Sequence, residues 1–107
     1  MLSLIAGLLV LTVPLTAQRV QTYEQLTVSS TAVLISAATL SKMNAGQGVL
    51  QGAEIRYRCD GTAPTTTVGT PLQVGSTITF GNVIDARACQ FIRTTGTDGV
   101  LNLNFWQ

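Results

Sequence analysis

The chain has 107 residues, six basic and five acidic side chains, a net charge of +1 and no histidine. So slight a positive balance speaks against nucleic acid, whose phosphates need many Lys and Arg partners. The missing imidazole removes the commonest general base, the commonest metal ligand and every Ser-His or Cys-His nucleophile pair, so neither an enzyme nor a cofactor or metal site is expected.

One small domain fits this length, burying about 60–65 % of its extended surface and gaining from assembly. Charged residues make up 10 % of the chain, against a usual ~25 %. A surface rich in Thr, Ser, Asn and Gln suits docking on another protein, and equally suits plain solubility.

Residues 1–17 form an apolar N-terminal segment, ahead of a single domain over 18–107. No charge occurs from Met1 to Gln18, and the apolar run ends at Pro14. Its length is that of a signal-peptide core with Ala17 before the cleavage point, although no Lys or Arg precedes it and Leu15 occupies the −3 position. A membrane span needs ~20 apolar residues, and Pro14 and Thr16 interrupt this one. Three readings stay open: a signal or membrane-contacting segment, an arm packed in an assembly, or an extension from an early start codon.

Leu26 and Val28 alternate with Thr27 and Ser29, which predicts a strand that Val33 and Ile35 continue or pair with. Ser36 to Leu40 fits either a strand end or one helical turn. Ser41 to Gly48, with Asn44, Gly46 and Gly48, is expected to be a loop before a short strand at Val49-Leu50.

Glu54 to Gly61 is predicted as the central strand. Ile55, Tyr57 and Cys59 point one way, and Glu54, Arg56, Arg58 and Asp60 the other. Asp60-Gly61 and Pro64 end it in a turn. Thr65 to Leu72 reads as an extended connection and Gly75 as a turn. Thr77 to Phe80 is a strand with Ile78 and Phe80 inward, closed by Gly81-Asn82. Ala86 to Thr94 is expected to be a further strand with Cys89 and Phe91 on one face. Thr95 to Gly99 is expected as its hairpin loop. In Val100 to Trp106, Leu101, Leu103 and Phe105 point inward and Asn102, Asn104 and Trp106 outward. Short strands between turns, without an amphipathic helix, predict an all-β fold: a small antiparallel sandwich or barrel.

Cys59 and Cys89 are the two cysteines. A bridge between them would contribute about 2–4 kcal/mol and suit an exported protein. Two buried free thiols, packing as small hydrophobes, are the favoured alternative. Glu54, Asp60, Asp85 and Asp98 read as surface or turn residues rather than a carboxylate pair, which would need a cleft and aromatics. Ser41-Lys42 lies in a predicted Gly/Asn loop, whereas a Ser-Lys nucleophile pair needs a buried site. Trp106 reads equally as an interface anchor or as a cover over a sheet edge.

Four stretches carry a resemblance: Thr22 to Ser29, Ile55 to Thr65, Val68 to Leu72 with Gly75, and Phe91 to Thr94 through Asp98-Gly99 to Leu103. In order and spacing, Gln21 to Phe105 resembles small structural proteins of tailed bacteriophages. The resemblance implies a non-enzymatic virion component of head, neck or tail, assembled in the host cytoplasm with copies of itself and neighbouring virion proteins. The expected contact surface is Glu54, Arg56 and Arg58 with Arg93 and Trp106. An exported β module bridged through Cys59 and Cys89, binding a glycan or cell surface, is the alternative.

Overall fold

The computed structural model describes residues 20–107, so the readings of residues 1–17 lie outside the described residues. Among the described residues, eight strands form two antiparallel four-stranded sheets in a sandwich-like fold. The first sheet has the order β1-β8-β3-β6, built from β1 (Gln21–Val28), β8 (Gly99–Trp106), β3 (Ala45–Gln51) and β6 (Thr77–Phe80). The second has the order β2-β7-β4-β5, from β2 (Val33–Leu34), β7 (Gln90–Arg93), β4 (Ile55–Arg58) and β5 (Thr70–Leu72). Two short helices, α1 (Ala37–Leu40) and α2 (Val83–Ala88), complete the described chain.

Period-two patterning decides which face each strand buries. In β8, Leu101, Leu103 and Phe105 are fully buried, while Val100, Asn102, Asn104 and Trp106 stay half-exposed. Leu26 and Val28 of β1 and Ile78 and Phe80 of β6 join them, and Ile55, Leu72 and Phe91 face them from the second sheet. The Phe80 and Phe105 rings stack at 5.5 Å. Each such side chain contributes about 1.5–3 kcal/mol by leaving water.

The chain repeatedly crosses between sheets. β4 and β5 are the one pair of described strands consecutive in sequence and hydrogen-bonded to each other. The expected hairpin at Thr95 to Gly99 is therefore a crossover, because β7 pairs with β4 and β2 whereas β8 pairs with β1 and β3. Turn chemistry reverses a chain without choosing the partner of the strand that follows.

Five further expectations need correction. β2 pairs with β7 rather than continuing or pairing with β1. The connection expected from Thr65 to Leu72 ends in β5. The expected loop from Ser41 to Gly48 contains the start of β3, whose inward positions are Gly46, Gly48 and Leu50. The strand expected from Ala86 is shortened by α2. The Asn82 Oδ1 accepts from the Asp85 N–H at 2.8 Å, which satisfies an otherwise orphaned helical donor. The central strand stops at Arg58, so Cys59 is exposed rather than inward-facing.

The ambiguous Ser36–Leu40 stretch resolves as α1. Ser36 makes no side-chain cap to it. Instead the Glu24 carboxylate of β1 accepts from the Ser36 N–H at 3.1 Å and the Thr39 hydroxyl at 2.8 Å, fastening the helix over the end of the first sheet.

Candidate functional site

The strand registers sort the surface into two unlike faces. Residues opposite one another in an antiparallel pair point the same way. From the register, the outer face of the first sheet carries Gln21, Tyr23, Gln25 and Thr27 from β1, and Val100, Asn102, Asn104 and Trp106 from β8. Ala45, Gln47, Val49 and Gln51 follow from β3, then Thr77 and Thr79 from β6. None is charged. Tyr23 is 61 % exposed and Val49 38 %.

Asn102 organises this face. Its Oδ1 accepts from the Tyr23 hydroxyl at 2.8 Å and from the Gln25 amide at 3.3 Å. Its Nδ2 donates to Gln51 Oε1 at 3.0 Å, so one amide joins β1, β8 and β3. Asn104 Nδ2 reaches the Thr22 carbonyl at 3.3 Å. Long polar side chains normally lose rotamer freedom when a partner docks. Here part of that ordering is already present.

The charges lie elsewhere. Glu54, Arg56 and Arg58 project from the outer side of the second sheet, where Arg56 sits between Pro71 and Ile92 in the register. Arg56 Nη1 donates to the Gly69 carbonyl at 2.7 Å, and its buried Nε has no hydrogen-bond partner among the described residues. Glu54 accepts from Gln73 and from the Thr94 hydroxyl. Arg58 pairs with Asp60 at 2.5 Å. That hydrogen bond, followed by one from the Thr62 N–H, holds the Asp60 carboxyl below its ordinary value and raises Arg58.

Arg93 and Trp106 do not join that surface. Arg93 is opposite the inward-pointing Ile55 and turns to Asp98 in the crossover, at 2.5 Å. Trp106 belongs to the neutral face of the other sheet. The five residues expected to form one contact surface thus divide three ways, because strands adjacent in sequence lie in different sheets.

Cys59 and Cys89 are joined by a disulfide, which corrects the preference for free thiols. Cys89 ends α2 as a buried residue, and its partner is exposed just beyond β4. The bridge therefore staples the α2–β7 junction to the end of the central strand. An open depression of about 390 Å³ beside it is lined by Tyr57, Phe80 and Asp85, among others. It brings no second carboxylate or base to Asp85.

Among the described residues no group of three or more His, Cys, Asp or Glu side chains is placed to hold a metal ion. No described helix is long and apolar enough to cross a membrane. No known protein family, curated protein or solved structure matches the chain.

Proposed function

We propose that this chain is a non-enzymatic structural protein of a tailed-bacteriophage particle. It assembles with copies of itself and with a neighbouring capsid, neck or tail protein. The observation that carries the assembly reading is the charge-free outer face of β1-β8-β3-β6. Docking such a face desolvates amides, hydroxyls and two aromatic rings, and strands no ion in the interface. The phage assignment is supported by the resemblance of Gln21 to Phe105, in which four stretches agree in order and spacing.

The test is mass spectrometry of particles purified by density gradient from the producing culture. Peptides of this chain should run with the particles at constant stoichiometry and survive a high-salt wash, since no ion pair holds the neutral face. Recovery only in the soluble fraction would reject the reading.

The disulfide favours a second reading, an exported module that binds a glycan or cell surface. It predicts a chain shortened by about seventeen residues and recovered oxidised outside the cytoplasm.

A further inference from the structure

A sheet edge is a row of unpaired N–H and C=O groups, and proteins protect such edges with short strands, proline, charge or bulges. Three of the four edges here are protected in this way. β2 has two residues, β5 has three including Pro71, and β6 has four. The fourth edge, β1, has eight residues in unbroken register with β8, and no proline. Its single charge, Glu24, is turned inward onto α1.

The phase of the ladder shows which groups are open. The Gln107 N–H donates to the Val20 carbonyl at 3.2 Å, so even-numbered β1 residues bond to β8 and odd-numbered ones point away. The next odd position agrees, because the Ser29 carbonyl accepts from the Arg93 N–H at 3.0 Å. The backbone groups of Gln21, Tyr23, Gln25 and Thr27 thus face outward and meet no partner strand among the described residues.

We propose that β1 is a self-pairing edge: two copies join antiparallel about a two-fold axis at Gln25, forming one continuous eight-stranded sheet. This rests on the assembly reading above and names its self-contact. Matching the inner and outer faces requires the axis to pass through a residue position. An axis at Glu24 would set the two carboxylates opposite each other, which is destabilising. An axis at Tyr23 would pair only residues 21–25 inside the strand, against residues 22–28 for an axis at Gln25. The axis at Gln25 pairs Tyr23 with Thr27 of the second copy and Glu24 with Leu26 of the second copy. The two uncharged outer faces then merge, and no like charges stand directly opposite each other across the join.

Sedimentation equilibrium of the full-length chain, alongside Gln25→Pro and Gln25→Lys, tests this. The Gln25 N–H points away from β8, so proline there removes an outward donor and no ladder bond. The wild type should show twice the monomer mass, with protected Tyr23, Gln25 and Thr27 amides in hydrogen exchange. Both variants should keep the wild-type circular dichroism and raise the dissociation constant by about tenfold or more, which corresponds to about 1.4 kcal/mol. Should the proline variant lose its fold, the lysine variant carries the comparison, since it retains every backbone donor. A wild type that is monomeric at all concentrations overturns the proposal. So does a protected β1 edge in a particle of monomer mass, which would mean that another segment of the chain covers it. An oligomer indifferent to both variants overturns the edge pairing alone and leaves the assembly reading standing, because particle incorporation tests that separately.

Discussion

Gly46 of β3 lies directly opposite Phe105 of β8, and the Phe105 ring fills the space that a side chain at position 46 would need. The next inward glycine repeats the relationship, with a Cβ at Gly48 falling 2.8 Å from Leu103 Cδ2. Neither glycine has a positive φ. Their role is spatial, leaving room for Phe105 and Leu103 of β8 against the neighbouring strand. Gly46→Ala should therefore destabilise by about 1–3 kcal/mol, the range for overpacking a filled core. Urea denaturation measures it. An unchanged midpoint would mean that the ring shifts freely.

The same glycines explain why β3 was hidden in the sequence. A strand is recognised by large side chains alternating with polar ones, and β3 buries two residues without side chains. Where the inward residues were large, as in β1, β6 and β8, the alternation was legible. The crossovers were not, since Asp98-Gly99 signals a turn whichever sheet the next strand enters. Trp106 and Asn102 shared an outward face already in the sequence, but Tyr23 and Gln51 joined them only through pairing, since both lie far away in the chain. The signal for α2 was present in Asn82 followed by Asp85, the spacing of a helix start.

The Cys59–Cys89 bridge closes a separation of 30 residues. Loop-closure entropy puts its contribution at about 3–4 kcal/mol. The double variant Cys59→Ala/Cys89→Ala should lower the unfolding free energy by that order, and wild-type protein should show no titratable thiol until unfolded with reductant. A thiol count of two in native protein would remove the bridge from the account.

Glu24 caps a helix that its own N-cap residue leaves uncapped. Glu24→Ala should cost about 1–2 kcal/mol, the value of a lost cap and a hydrogen bond to a charged acceptor. Protection of the α1 amides in hydrogen exchange should fall first, with the β8 amides unaffected. Uniform loss across both would show that Glu24 supports the sheet itself.

Asp60 gives a pH signature with a definite sign. Its folded carboxyl is held below the ordinary 3.8 by the Arg58 hydrogen bond. A depressed acid stabilises fully above its unfolded pKa and loses that contribution as pH falls through the folded value. The stability difference between wild type and Asp60→Asn should be constant above about pH 5 and shrink below about pH 4. The pair is exposed, so the difference should be small and should shrink further in salt. A difference that grows on acidification would contradict the assignment.

Asn102→Asp separates the two outer faces as contact surfaces. The substitution puts a carboxylate against Gln51 Oε1, where the amide donated, and sets a charge at the centre of a face that has none. The isolated domain should lose about 1–2 kcal/mol, since a donor is replaced by an acceptor on a half-exposed strand. Assembly should suffer far more, because every docked copy must then desolvate an unpaired ion. Arg58→Gln is the counterpart on the second sheet. It removes a charge whose partner Asp60 is exposed and free to take up water. On the proposed assembly, competition of each tagged variant with wild type for incorporation into purified particles reads the contrast directly. Exclusion of Asn102→Asp with normal uptake of Arg58→Gln locates the contact on the neutral face. The reverse pattern would place it on the charged sheet, and the merged amide surface would then have no part in assembly.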